Sequence, residues 1–138
     1  MESRFLCDAL LEIKYFQDLL EKSSSKYYGH LLLKMLGSDT IPVTFTTNMG
    51  SPLSLIEAGT GTETRYFRIE EIDEEKHLII VSLLRPLDIF GDIANSMSDV
   101  VKLEKTTTKN TLCLMLISGV QLFNTTLLTK KMIIEPKW

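Results

Sequence analysis

The sequence predicts an α+β fold: an N-terminal amphipathic helix packed on a mainly antiparallel β-sheet, sandwich-like or partly closed. Three observations carry this expectation. Leu6, Leu10, Ile13, Phe16 and Leu20 recur at steps of three and four, the spacing of one helical face. Leu78 to Leu84 is apolar at every position but Ser82. Leu78, Ile80, Ser82 and Leu84 fall on one side, with Ile79, Val81 and Leu83 on the other. A strand of that kind must be covered on both faces and belongs in the middle of a domain. The remainder, from about residue 40 to 128, is a series of short β-rich runs separated by turn residues.

Taken in order, the helix is expected over about residues 3–21, with Ser3 as its N-cap. Its stripe is expected to pack on the chain's own sheet, because a helix of this length needs tertiary burial to persist. Ser23 to Ser25 end it. A second short helix is expected over Tyr27 to Leu36, closed by Gly37. Ile41 to Thr47 reads as an edge strand or strand beginning, with Pro42 near its start. Asn48 to Pro52 is turn chemistry, and Leu53 to Glu57 is the expected return strand of a hairpin. Ala58 to Thr62 reads as a flexible loop.

Phe67 and Ile69 then alternate with Arg68 and Glu70, and Asp73 to Lys76 form a polar connection. An antiparallel hairpin with Leu78 to Leu84 follows. Pro86 lacks an amide donor, so the ladder is expected to end there. Leu87 to Ser98 is a polar connection, Asp99 to Lys105 a weak strand and Thr106 to Asn110 a turn. Thr111 to Ile117 is a buried strand, Val120 to Leu128 a short helix, and the tail from Met132 to Trp138 holds a β-like pair, Ile133-Ile134.

The chain has 138 residues, of which 44% are hydrophobic and 24% charged, with a net charge of −3. That suits one domain over residues 1–138 and excludes a disordered chain. No basic face suggests nucleic acid. Met1 to Phe16 interleaves charges with apolar residues, unlike a secretion signal. The uncharged window from Asn110 to Thr129 is rich in Thr, Ser, Asn and Gln, so no membrane partner is expected.

The residues that bear chemistry form no pattern. Cys7, His30, His77 and Cys113 lack the close pairs of a zinc site. The two cysteines are too few for a disulfide framework and read as packed thiols. No nucleophile elbow is present. Glu70, Glu71, Asp73, Glu74 and Glu75 read as a solvated hairpin tip. Gly59-Thr-Gly61 lacks the strand and helix that flank a phosphate loop. Asn124-Thr-Thr126 is a glycosylation sequon in form only. No catalytic, cofactor-binding or metal-binding residue is assigned, no cofactor is expected, and the chain is read as non-enzymatic.

Several motifs do form a recognisable set. They are Cys7-Asp8 with its following amphipathic run to Asp18, Asp39-Thr-Ile-Pro-Val43, and Phe45 to Pro52. Phe67 to Asp73, Ser82 to Asp88, Leu103-Glu-Lys105 and the Val120-Gln121 neighbourhood complete the set. In this order they resemble the spore coat protein Z and Y family of endospore-forming bacteria, over roughly residues 5–128. The resemblance implies a structural protein of the spore coat, crust or exosporium that associates with itself and with other coat proteins. It would be made in the mother-cell cytoplasm before joining the coat. Relatives are cysteine-rich, whereas this chain has Ser23 to Lys26 and Glu74 to Lys76 where they carry cysteines, and only Cys7 matches. The resemblance implies lattices cross-linked by disulfides, but with two cysteines and Cys113 expected to be buried in its apolar run, assemblies of this chain are expected to be held by packing and hydrogen bonds instead. The alternative reading is a small-molecule-binding or enzymatic domain on the same scaffold.

Overall fold

The structure, a computed structural model, describes residues 2–21, 40–123 and 133–134. The expected helix at Tyr27 to Leu36, its Gly37 cap, the Ser23 to Ser25 loop, His30 and Asn124 to Thr126 lie outside these residues. Helix α1 runs Glu2–Glu21, followed by β1 (Val43–Thr47), β2 (Leu55–Glu57), β3 (Thr62–Thr64), β4 (Tyr66–Asp73), β5 (Leu78–Leu87), β6 (Lys102–Cys113), β7 (Ile117–Leu122) and β8 (Ile133–Ile134). Strand order in the main sheet is β7-β1-β4-β5-β6-β8, while β2 and β3 form a separate two-stranded sheet. All pairings are antiparallel except that of β8 with β6. The α+β architecture is as the sequence predicts.

The apolar central strand is β5. Ile79, Val81 and Leu83 are fully buried in the main core, with Phe67 and Ile69 of β4, Val43 and Phe45 of β1, and Leu6 and Leu10 of α1. Leu84 points the other way, as successive strand residues do. It packs with Tyr66, Val100 and Leu103 in a second, smaller cluster. This strand is therefore covered on both faces.

The sheet is strongly curved. In a flat sheet β7 and β6, four strands apart in the order, would lie about 19 Å from each other. Yet Cys113 at the end of β6 is joined to Ile117 at the start of β7 only by the 3-10 turn Leu114–Leu116. Even fully extended, that connection reaches about 14 Å. The connector is tied on both sides: Leu114 N–H donates to the His77 carbonyl, and Asn48 N–H to the Leu116 carbonyl. Strand β1 also meets β4 at a single residue pair, Val43 with Phe67. The β1–β7 ribbon thus leaves the β4–β5–β6 sheet at that corner, and α1 packs into the concavity.

Several local expectations are corrected. The helix already includes Ser3, so Ser3 is not its N-cap. Its buried face continues from Leu6, Leu10 and Ile13 to Gln17, while Phe16 is 40% exposed. Strand β1 is not an edge: it lies between β7 and β4, and Leu53–Glu57 is not its return strand. Of that hairpin there remain a Thr46–Pro52 bridge and the bonds from Leu53 N–H to the Phe45 carbonyl, Thr47 N–H to the Ser51 carbonyl and Gly50 N–H to the Thr47 carbonyl. Pro86 ends the ladder with β4, whose last pair is Tyr66 with Leu84, but the ladder with β6 continues to Leu87.

The expected turn at Thr106 to Asn110 lies inside β6. Thr106, Thr107 and Thr108 stand opposite Leu83 alone, a large bulge. The polar run that reads as a turn is the extra chain of that bulge, and Thr106 Oγ1 donates to the Leu83 carbonyl at 2.6 Å. Asp99 ends a 3-10 turn rather than starting a strand. The buried strand at Thr111 to Ile117 stops at Cys113, and Val120 to Leu122 belong to β7, not to a helix.

Candidate functional site

Of the thiols and imidazoles, Cys7, His77 and Cys113 are among the described residues. Cys7 is half-buried on α1, with Sγ 3.9 Å from Glu74 Oε1. Burial, and then the charges of Glu74 and Asp8, push its thiol pKa up. His77 is exposed in the β4–β5 turn at φ 56°. Cys113 is half-buried, not buried as its apolar run suggests. It lines an apolar groove of about 470 Å³ with Thr47, Met49, Leu53, Leu116 and Ile117. Among the described residues no group of three His, Cys, Asp or Glu side chains is placed to hold a metal.

The five acids of the central hairpin separate. Glu71, Glu74 and Glu75 are exposed, but Glu70 is the extra residue of a bulge in β4. There it accepts from Arg68 Nη1 at 2.7 Å and from Ser82 Oγ at 2.6 Å. Burial alone would raise its pKa. The hydrogen bonds from Ser82 and Arg68, with the charges of Arg68 and Lys109, bring it below the ordinary carboxylate value.

A more deeply buried carboxylate escaped the sequence reading. Glu57, at the end of β2, is 2% exposed. Arg85 donates to its Oε1 from Nε at 2.9 Å and Nη2 at 2.7 Å. Thr60 Oγ1 donates to Oε1 at 2.9 Å, and Thr108 Oγ1 to Oε2 at 3.3 Å. The Gly59 N–H also reaches Oε2. Arg85 in turn bonds Glu104, its cross-strand neighbour. Burial would raise the Glu57 pKa, but these bonds and the Arg85 charge outweigh it and hold it low.

The Gly59-Thr-Gly61 loop therefore does embrace an anion, the chain's own carboxylate. A Cβ at Gly59 would stand 2.6 Å from Glu57 Oε2. The segment from Ala58 to Thr62 is a tied turn, with Gly61 N–H also bonded to the Glu57 carbonyl. No buried side-chain nitrogen or oxygen among the described residues lacks a partner, so the cluster reads as a clasp between the β2–β3 hairpin, β5 and the β6 bulge. Its one sequence signal is a Glu closing an apolar run just before Gly-Thr-Gly.

Among the described residues, no strand pairs with the outer side of β7. Strand β7, Ile-Ser-Gly-Val-Gln-Leu, carries no charge and no proline. Beside it the surface is apolar: Met49 is 90% exposed, Leu116 64%, Met115 60% and Leu122 54%. The β6 side differs, with Lys102, Lys105 and Lys109, the threonine bulge and β8 alongside Leu103 and Glu104. Lysines and bulges blunt an edge against strand pairing, and β7 has neither device except a bulge at its start.

No family model, no curated protein and no solved structure matches this chain.

Proposed function

We propose that this chain is a structural assembly protein that works by associating with itself and with other coat proteins. The observation that supports association is the uncharged β7 edge beside exposed Met49, Met115, Leu116 and Leu122. An open strand edge offers a row of backbone donors and acceptors, and an adjoining apolar surface adds burial when it is covered. We place the protein in the bacterial spore coat, crust or exosporium, a setting that rests on the motif resemblance alone. It acts without catalysis. Light scattering over a concentration series, alone and with cysteine-rich coat proteins, tests association, and a strict monomer in every mixture refutes it. A fluorescent fusion followed through sporulation tests the setting, where the expected result is passage from the mother-cell cytoplasm to the spore surface.

One observation favours the second reading, a small-molecule-binding domain. A polar groove of about 480 Å³ is lined by Glu63, Arg65, Asn95 and Ser96 over Tyr66 and Val100. Saturable nuclear magnetic resonance shifts at Arg65, Asn95 and Ser96 with a defined small molecule would favour it over assembly.

A further inference from the structure

The assembly reading leaves open which surface associates and in what geometry. Resting on that reading, we infer that two copies of the chain join through β7, as an antiparallel pair centred on Gln121. Phe123 N–H donates to the Pro42 carbonyl, Gln121 lies opposite Thr44, and Gly119 opposite Thr46. The groups turned towards β1 are therefore those of Gly119, Gln121 and Phe123. Alternation along the strand turns the N–H and C=O of Val120 and Leu122 outward. They have no hydrogen bond to another described residue.

Only one register uses both outward residues of both copies while avoiding the bulge at Ser118. Val120 then stands opposite Leu122 of the second copy, and Leu122 opposite Val120. Gln121 faces its own counterpart in a non-hydrogen-bonded pair, about 4.5 Å apart at Cα. This arrangement suits the side chains. Val120 already packs against the main core. Leu122 shares its face, since it lies opposite the fully buried Val43, yet is 54% exposed. Pairing places each half-exposed Leu122 against a Val120 and extends the apolar face across the two-fold axis. Gln121 is exposed on the other face, where two amides meet as donor and acceptor.

A second copy fits better than an unrelated strand, because an uncharged strand meets itself without repulsion and a two-fold contact closes on itself. The lysine-bearing, bulged β6 is unsuited to receive β7 in a head-to-tail chain.

Charge exchange at Gln121 tests this, because the side chain is exposed and its replacement leaves the core intact. Sedimentation equilibrium of the full chain should show a dimer. Gln121→Lys and Gln121→Glu should each weaken it about fivefold or more, since like charges directly opposite repel. Mixing the two variants should restore it. In the unmodified protein, the Val120 and Leu122 amides should exchange more slowly with deuterium as concentration rises. A dimer indifferent to both substitutions, with unchanged exchange at Val120 and Leu122, overturns the β7 contact and leaves association to another surface such as exposed Ile89 and Phe90. A chain that is monomeric alone but binds coat proteins also overturns it while keeping the assembly reading. A chain that binds neither itself nor any coat protein overturns both.

Discussion

Val81 is completely buried, while Ile80 beside it is only half-buried. An Asp at Val81 would have to bury a carboxylate without a partner, a cost comparable with the whole stability of a domain, about 5–15 kcal/mol. Val81→Asp is expected to be unfolded by circular dichroism, and Ile80→Asp folded with a lowered Tm. Glu57 behaves oppositely, being buried with all its partners in place. Its folded-state pKa lies below the ordinary glutamate value of about 4.3. A lowered folded-state pKa gives stability that is complete above the unfolded value and lost as pH falls through the folded one. Thermal melts should therefore show Tm falling in acid below about pH 4.3, and falling less steeply in Glu57→Gln. Equal slopes would mean that the clasp does not bear on stability. Cys7 is shifted the other way, towards the neutral thiol. Its alkylation at pH 7 should be slow and should quicken in Glu74→Gln, which removes one of the two charges opposing the thiolate.

At the scale of elements, α1 is attached by more than its stripe. Gln17 is 1% exposed and bridges two backbone groups, donating to the Ile69 carbonyl at 2.8 Å and accepting from the Ile41 N–H at 3.0 Å. It stands where the leucine spacing returns to the core, so the helix face was legible while its last residue was not. A polar side chain there looks like surface until a carbonyl beyond the β1–β4 pairing needs a donor. Gln17→Ala leaves both backbone groups without these partners, and chemical denaturation should show a loss of about 2–4 kcal/mol. A loss under about 0.5 kcal/mol would mean that water replaces the amide. The β6 bulge is a similar case. Thr106 to Asn110 reads as a turn because strands rarely hold so polar a run, yet the extra residues bring Thr106 to Leu83 and Thr108 to Glu57.

For the whole molecule, curvature is what makes the edges unequal. The short β6–β7 connector brings the sheet round, and β7 ends it as an uncharged strand beside an apolar rim. Both described cysteines are half-buried, and Cys7 is disfavoured as a thiolate. We therefore expect assemblies of this chain to be held by packing and hydrogen bonds. In the proposed spore-coat setting, detergent without reductant should release it from spores, as gel electrophoresis of the extracts would show. Its appearance only after reduction, in place of a high-mass ladder, would mean that Cys113 is accessible at its groove or that partners supply the cross-linking thiols.

The α+β class, the first helix, the β4–β5 hairpin and its central strand were legible in the residues alone, because each is written in periodicity or in uninterrupted apolar runs over neighbouring residues. Which strands pair emerges only once the chain is folded. β1 joins β7 across 75 residues of chain in the pair Phe45–Val120, and no local pattern encodes a partner so distant. The same holds for Glu57, whose meaning depends on Arg85 and Thr108 arriving from β5 and β6. It holds also for the place of β7 at the end of the strand order, since an edge is a property of the sheet's order and not of the strand's own residues. Local spacing sets what an element is, while burial and hydrogen-bond satisfaction across the curved sheet set where it sits and which of its groups remain available.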